Sequence, residues 1–402
     1  MKRDITSLAV FGGEPVFAYP LPVGQMNFGE LERFEKAMRG IFSRRYYTNH
    51  GPLAQLLENR LCDFIGVQHA VCMTNATIGL MVAAKALELR SKVIVPAFSF
   101  AGTVQSLTWA GLQPIFCDVD PRTYGMTAEL VAPLIGDDVS AILGVHPWGN
   151  ACDIGELERL ARLWNLRIYF DATDSFGCTY KGKRIGRFGD MEIFSFHASK
   201  ILNSAEGGCA CTNDDFLAKR LRNIRSSYGS GPTVPVTLTA NGRMSEAQAA
   251  LALLSLEDYL ENRLQNQERF ELYTELLGKL PGIKIISPIS EEQSNYQNVV
   301  LDVDINAFGL GRNEIAHVLR AENVLGQENF AFRMPWNPPY DTGFVQNIER
   351  LTTTDAICSR VMELPSGQKI SKDNINVICH IMVYLHEHAA AIREKLAASL
   401  ER

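Results

Sequence analysis

The stretch DMEIFSFHASKILNSAEGG (residues 190–208) decides how this chain is expected to fold and react. It begins with a short apolar strand, and Lys200 follows in the segment after that strand. A lysine removed from water loses part of its preference for the charged form, and lysine is the side chain that forms Schiff bases with carbonyl compounds. A surface lysine after a strand is the common alternative, and this stretch alone leaves both interpretations open.

A second stretch, IYFDATDSFG (residues 168–177), favours the chemical interpretation. Here an apolar strand ends in Asp171, and α/β folds bind their ligands at the carboxyl ends of parallel strands. Pyridoxal phosphate requires a carboxylate that keeps its ring nitrogen protonated and a lysine that holds its aldehyde. Asp171 and Lys200 together therefore predict a site for this cofactor.

The rest of the chain alternates between strand and helix patterns. Strands are predicted at residues 70–73, 92–96, 114–118, 141–145, 166–170 and 209–212, and helices at 28–41, 52–65, 104–110, 128–135, 154–164, 214–224 and 245–280. Residues 74–87 are predicted to run from a turn into a helix. This alternation predicts an α/β fold with a mostly parallel central sheet covered by helices on both faces. We expect a large domain with an N-terminal arm over residues 1–258 and a smaller C-terminal α+β domain over residues 259–402.

Composition excludes several classes of protein. The 402 residues are 46% hydrophobic, which is enough for a large core, and the net charge of −6 without a basic run argues against nucleic acid as a partner. No apolar stretch is long enough to span a bilayer, and the N-terminus lacks the apolar core of a signal peptide. Nine scattered cysteines suit the reducing cytoplasm, and we interpret Cys209 and Cys211 as core residues rather than a redox pair.

Several ordered motifs accompany the two stretches. They are GGEPVFAYPLPVGQMNF (12–28), TNHGP (48–52), TNATIGL (74–80), VIVPAFSFAGT (93–103), FCDVDP (116–121), GVHPWG (144–149) and ANGRMSEAQAA (240–250). With residues 170–208 they resemble the DegT/DnrJ/EryC1/StrS family, the sugar aminotransferases of the fold-type-I pyridoxal-phosphate superfamily. The resemblance is close over residues 8–258 and holds only in outline beyond; it is nearest to dTDP-4-keto-6-deoxyhexose 4-aminotransferases.

The resemblance implies a role for each of four polar residues. Lys200 would form the Schiff base with pyridoxal phosphate, with pyridoxamine phosphate as the intermediate form of the cofactor, and Asp171 would hold the ring nitrogen. Ser195 would donate its hydroxyl to the cofactor phosphate. In the family the Asn that corresponds to Asn241 comes from the partner subunit, which implies a homodimer with composite active sites.

Two further cofactor contacts are expected near the N-terminus of a helix. Thr77, with Ala76 in place of the family's glycine, matches the phosphate-binding motif, and a helix N-terminus is suited to hold an anion. An ordinary helix start is the alternative. Phe100 corresponds to the aromatic residue that stacks on the cofactor ring, with a core phenylalanine as the alternative.

Substrate contacts are expected from a more scattered set, and no metal site is predicted. The set comprises His50, His197, Arg243, Phe330, Arg333 and Trp336. A surface loop histidine is an equally good interpretation of His50. One family variant has histidine at the Schiff-base position and is a dehydratase, so Lys200 favours transamination, with His197 as a neighbouring residue.

The chain departs from the family pattern at two places. Asp174 stands where the family usually has His or Gln beside the ring's 3′ oxygen. A carboxylate there must turn away, hold a proton or find a cation, because two like charges repel. The second departure is ENFAFRMPWNPPY (residues 328–340), which lacks the Arg and His of the 4-aminotransferases.

The expected function is transfer of an amino group from an amino acid, glutamate first, to a keto-sugar that is nucleotide-linked. The two departures keep a second reading open: another pyridoxal-phosphate reaction, such as amine oxidation, elimination or decarboxylation, on a non-sugar substrate. A third, a cofactor-binding regulator without turnover, is disfavoured by the presence of Asp171, Ser195, Lys200 and Asn241.

Overall fold

The computed structural model describes residues 4–289, 292–326 and 351–400. In chain order its strands are β1 (Leu21–Pro22), β2 (His69–Met73), β3 (Lys92–Pro96), β4 (Gln113–Cys117), β5 (Val139–Val145), β6 (Arg167–Asp171), β7 (Thr179–Tyr180), β8 (Lys183–Arg184), β9 (Met191–Ser195), β10 (Gly208–Thr212), β11 (Ile283–Ile285), β12 (Val299–Val303), β13 (Val324–Leu325) and β14 (Val361–Leu364).

The helices, short 3₁₀ turns aside, lie mainly between these strands. They are α1 (Leu31–Arg44), α2 (Pro52–Ile65), α3 (Ala76–Ala86), α4 (Ala101–Trp109), α5 (Ala128–Val131), α6 (Ile154–Leu163), α7 (Asp215–Ser226), α8 (Glu246–Glu257), α9 (Tyr259–Leu277), α10 (Ile305–Phe308), α11 (Arg312–Ala321), α12 (Thr352–Cys358), α13 (Lys372–Glu387) and α14 (Ala389–Leu400).

The largest sheet within the described residues has seven strands in the order β2-β10-β9-β6-β5-β3-β4. Its strands are parallel except β10, which runs antiparallel to both of its neighbours. Because both faces are covered, strands such as β9 and β10 are buried along their whole length. The predicted α/β fold, with a mostly parallel sheet between helices, is confirmed.

Alternation along the strands divides the core into two clusters, one on each face of this sheet. Phe170 packs in the cluster with α2, α6 and α8, whereas its neighbour Tyr169 packs in the cluster with α3, α4 and α7. Cys209 and Cys211 lie on one face, both are buried, and their sulfurs are 3.8 Å apart as free thiols. This is the packing expected of small core residues.

A smaller layer forms from the C-terminal part of the chain. As far as residues 283–364 are described, β11, β12 and β14 form a three-stranded antiparallel sheet, which packs on α9, α11 and α13. The expected boundary near residue 258 falls at the break between α8 and α9, and it stays a prediction.

Two predicted helices differ from the structure for local reasons. The helix predicted over 245–280 is broken at Asp258, whose backbone takes φ −87° and ψ 0° while its carboxylate binds Arg33 at 2.8 Å. The helix predicted over 128–135 is only one turn of α-helix followed by a 3₁₀ turn. Pro133 lies in that turn and has no backbone N–H to continue the α-helical ladder.

The N-terminal residues lie along both parts of the chain. β1 pairs in parallel with β13, while the N–H groups of Gln25 and Met26 donate to the carbonyls of Ser199 and Ala198 at 3.0 and 3.2 Å. Gly24 precedes them with φ +105°, and a Cβ there would stand 2.8 Å from the Ser199 Cβ. Only glycine fits this close approach, which fastens the arm to the segment that carries Lys200.

In the described ranges, no single helix is long and apolar enough to cross a membrane. The pair Lys372–Glu387 and Ala389–Ala398 reaches the required length and composition only when taken together, and it is bent by 84°.

Candidate active site

Three polar residues meet at one edge of the large sheet. β6 and β9 are parallel neighbours, so their carboxyl ends, Asp171 and Ser195, lie at the same edge. Lys200 lies in the segment that leaves this edge and returns as β10, because β10 runs antiparallel to β9. The topology therefore brings together residues that the sequence places apart.

Asp171 is a buried carboxylate, with 2% of its surface exposed. The hydroxyl of Thr103 donates to it at 2.6 Å and the N–H of Thr173 at 3.1 Å. Burial raises the pKa of Asp171, although these hydrogen bonds oppose the increase. Among the described residues Asp171 forms no ion pair, so a cationic group bound here would find an unpaired acidic partner.

Lys200 forms an ion pair with Asp174, and each side chain is only 14% exposed. Burial acts to lower the pKa of Lys200, but the negative charge of Asp174 and its hydrogen bond outweigh it, so the pKa of this lysine is raised. Of the three alternatives for Asp174, the structure shows the last: the carboxylate has found a cation.

Gln297 holds this pair in place, and sequence reasoning missed it. Its side-chain N–H donates to the Asp174 carboxylate at 3.0 Å, and its side-chain oxygen accepts from the Ile201 N–H at 3.0 Å. Gln297 is 3% exposed. The one signal in the sequence was a pair of polar residues, Gln297 and Asn298, before an apolar strand, which by itself indicates no role.

The expected phosphate contacts gather at the start of α3. Asn75 caps this helix by accepting from the Ile78 N–H at 2.9 Å, which places Ala76 and Thr77 in its first turn. A Cβ built on Gly102 would stand 2.9 Å from the Thr77 hydroxyl and 2.8 Å from the ring of Phe100. Thr77 and Phe100 thus flank one glycine, and Phe100 is 55% exposed rather than a core residue.

Ser195 is buried at the end of β9, where its hydroxyl accepts from the His197 N–H at 3.3 Å. The His197 ring is half exposed; it contacts the Ser199 hydroxyl at 2.9 Å and lies 3.9 Å from Glu206. The segment between Ser195 and Lys200 is therefore ordered by its own short-range hydrogen bonds.

The remaining predicted residues lie in other surroundings. His50 has φ +59° and binds the buried Glu58 at 2.9 Å. Arg243 donates to the Ser226 carbonyl at 3.3 Å and forms a bridge with Met73. Asn241 is exposed. In the same loop, the carbonyl of Gly242 accepts a hydrogen bond from the Thr74 N–H at 2.9 Å. Phe330, Arg333 and Trp336 lie outside the described residues, and the roles of all six stay predictions.

The residues present fit pyridoxal phosphate. An ion-paired lysine, a buried carboxylate with no ion pair among the described residues, and a helix N-terminus with a nearby serine match the aldehyde, the ring nitrogen and the phosphate of that cofactor. Within the ranges that the structure describes, no group of three or more His, Cys, Asp and Glu side chains is arranged to hold a metal ion.

Comparison with known proteins agrees with this geometry. Residues 30–383 match the family model described as the DegT/DnrJ/EryC1/StrS aminotransferase family. The dTDP-4-amino-4,6-dideoxy-D-glucose transaminase of Shigella dysenteriae is 31% identical over 363 residues, which cover 89% of this chain and 97% of that protein. The transaminase of the same name from Escherichia coli is 29% identical, over 90% of this chain and 98% of its own.

Solved structures give the same result. The structure of DesI in the presence of its TDP-sugar product superposes with a TM-score of 0.92 at 35% identity, covering 98% of this chain and 100% of DesI. Helicobacter pylori PseC, at 22% identity and a TM-score of 0.83 over 92% and 99% of the two chains, shares the fold. The chain belongs to the DegT/DnrJ/EryC1/StrS aminotransferase family, whose enzymes use pyridoxal phosphate.

Proposed function

We propose that this aminotransferase moves an amino group from an amino acid, glutamate first, to the keto group of a nucleotide-linked sugar. A dTDP-linked 4-keto-6-deoxyhexose is the leading acceptor. The observation that carries the proposal is the Lys200 amine at the strand ends, held beside Asp174 in a chain that is similar over nearly its whole length to dTDP-amino-sugar transaminases. These relatives disfavour oxidation, elimination or decarboxylation of a non-sugar substrate.

The residues of this chain would divide the work between binding and proton transfer. Bound pyridoxal phosphate supplies an electron sink for the carbon that loses its proton. Asp171 would keep the ring nitrogen protonated, while Ser195 and the first turn of α3 would bind the phosphate. Lys200, freed from its proton, would hold the aldehyde. Once the amino donor has taken its place there, the released Lys200 amine would act as the base that removes the α-proton of the donor.

Asp174 and Gln297 would orient the Lys200 amine. Gln297 binds both the Asp174 carboxylate and the backbone of Ile201, so the lysine and its counter-ion are fixed relative to each other. Burial of this pair keeps water away from the reacting amine.

We also propose a cytoplasmic homodimer with composite active sites. Asn241 would reach the phosphate site of a second copy of the chain, and its exposure supports this assignment. Free thiols at all nine cysteines suit a reducing compartment.

Incubation of the purified protein with pyridoxal phosphate, L-glutamate and dTDP-4-keto-6-deoxyglucose tests the proposal. We expect a dTDP-amino-sugar and 2-oxoglutarate in equal amounts by liquid chromatography and mass spectrometry, and none with Lys200→Ala. A matched Lys181→Ala variant, which removes an exposed lysine of the turn between β7 and β8, should stay active. Ammonia, carbon dioxide or peroxide formed from amino acids without any sugar product would contradict the proposal.

A further inference from the structure

A third carboxyl group lies on β14, the neighbour of β12, and Gln297 just before β12 binds Asp174. The charges of this carboxyl group, Asp174 and Lys200 act on one another. Glu363 is on β14, opposite Val300 of β12, and only 2% of its surface is exposed. One of its carboxyl oxygens is fully buried and has no hydrogen-bond partner among the described residues. An ionised carboxylate cannot remain in that state at low cost, because charged oxygens that leave water require compensation.

Within residues 4–289, 292–326 and 351–400, no cation forms an ion pair with Glu363. Lys200, whose charge acts on Glu363, is already paired with Asp174, and the charge of Asp174 acts on Glu363 as well. On the neighbouring strand, Asp302 is neutralised by Arg360 at 2.9 Å. Arg312 of α11 donates to the carbonyl of Val361, also on β14, at 3.2 Å.

Protonation of the buried Glu363 carboxyl group removes the need for a cation. Burial raises the pKa of Glu363 to about 8; the charge of Asp174 adds to this effect, and that of Lys200 opposes it. At neutral pH the group is therefore an uncharged carboxylic acid, and it becomes an anion as the pH rises above that value.

We propose that Glu363 is a positioning residue of the active site, a neutral acid whose ionisation adds a further negative charge near Lys200 and strengthens its hold on its proton. The proposal rests on the proposed function only for its consequence in turnover, since the charge coupling exists in the protein without substrate. Lys200 reacts as the free amine, so ionisation of Glu363 slows its reactions at alkaline pH.

The test compares the wild type with Glu363→Gln, which keeps the shape and the neutral charge. The cofactor-free proteins are treated with cyanate, a small reagent that carbamoylates free amines, between pH 6.5 and 10. Peptide mass spectrometry gives the Lys200 rate relative to exposed Lys181 in the same sample, which cancels the pH dependence of the reagent. Glu268→Gln, which neutralises an exposed carboxylate, is the matched control.

The two proteins should have equal relative rates at pH 6.5 and diverge above pH 8. By pH 9.5 Lys200 of Glu363→Gln should react about tenfold faster than that of the wild type, because one pH unit in the pKa of an amine is a factor of ten in its free form. Identical relative rates in the two proteins at every pH would overturn the proposal. A faster rate in Glu363→Gln by the same factor from pH 6.5 upward would overturn it as well. The constant ratio would mean that Glu363 is ionised throughout.

Infrared titration of the wild type keeps the proposal testable if the variant does not fold. One protonated carboxyl band should disappear between pH 7 and 9, and its absence at pH 6.5 would also refute the assignment. Both measurements are made without a sugar, so a negative result here leaves the proposed acceptor untouched, and a wrong acceptor leaves this result untouched.

Discussion

Among the described charges that act on Lys200, that of Asp174 contributes most to how firmly the amine holds its proton. The two groups are paired out of water, where the attraction between opposite charges is stronger than at the surface. Family members usually have an uncharged Gln or a His at this position. The pKa of Lys200 is therefore higher than it would be with an amide side chain at position 174.

Replacing Asp174 by Gln should make the reactive amine more acidic. The negative charge favours the protonated form, so its removal lowers the pKa, and the visible absorption band of the bound cofactor should titrate about one pH unit lower. The measurement is an absorbance titration of the two holoenzymes between pH 5 and 10. Asp120→Asn, which changes a carboxylate outside the site, should titrate like the wild type, and identical curves for Asp174→Gln would remove the idea.

At the scale of elements, the site depends on how closely β10 approaches the start of α3. Gly208 begins β10, and a Cβ there would stand 2.8 Å from the Ala76 nitrogen and 2.8 Å from the Phe194 carbonyl oxygen. Both are backbone atoms and cannot rotate away. The absence of a side chain is therefore what allows the helix N-terminus to lie against the strand that follows the Lys200 segment.

Gly208→Ala should shift this helix and weaken cofactor binding. We expect a loss of about 1–3 kcal/mol in the free energy of unfolding, as for other overpacked cores, with a higher dissociation constant for pyridoxal phosphate. Gly136→Ala is the matched control, because its Cβ would have an ordinary contact at 3.6 Å. Urea unfolding and fluorescence titration measure the two effects, and equal results for both variants would contradict the account.

A second junction between elements is built on Glu58 of α2. This buried carboxylate accepts from the Cys72 N–H of β2 at 3.0 Å and from Arg225 of α7 at 2.9 Å, and it also binds His50. Burial alone would raise its pKa, but the hydrogen bond from His50 and the charge of Arg225 lower it to about 2. His50 therefore has a structural partner whether or not it also meets substrate.

Glu58→Gln should destabilise the protein at neutral pH and much less in acid. A pKa lowered from 4.5 to about 2 corresponds to about 3 kcal/mol, which is present above pH 4.5 and lost as the pH falls through about 2. Urea unfolding at pH 7, 5, 4 and 3 should show that the difference in the free energy of unfolding between Glu58→Gln and the wild type becomes smaller as the pH falls. Glu275→Gln, on an exposed helix face, should follow the wild type at every pH, and a gap that stays constant would refute the charge argument.

At the scale of the whole molecule, the active site draws on segments far apart in the chain. Gln25 of the N-terminal arm donates to the Gln297 carbonyl at 2.8 Å and accepts from Asn266 at 2.7 Å. Gln297 in turn binds Asp174. The N-terminal arm, α9 and the segment before β12 that contains Gln297 therefore stabilise the position of Lys200 together.

The composite dimer makes a prediction at this scale. Lys200→Ala and Asn241→Ala should each be nearly inactive alone, because each damages every site. Co-expressed in equal amounts, they should recover about a quarter of the wild-type activity, since half of the dimers are mixed and each of these has one intact site. Activity of the co-purified mixture measures this, and no recovery would mean that Asn241 acts within its own chain. An Asn241→Ala protein that is active by itself would mean that Asn241 is not needed.

The sequence by itself determined the α/β class, the mostly parallel sheet and the position of Lys200 after β9 and Asp171 at the end of β6. These follow from local patterns: apolar runs specify buried strands, and a polar residue at the end of a run marks the sheet edge. Ordered motifs also indicated the family.

Only the tertiary structure decided what surrounds the lysine. From the sequence, Asp174 could turn away, hold a proton or pair with a cation. The structure shows the pair, and the cation is Lys200, 26 residues away in the chain. Gln297 lies 123 residues from Asp174, and Glu363 belongs to the small C-terminal sheet. No local pattern records such contacts, because electrostatic pairing depends on distance in space, and folding alone brings these groups out of water together.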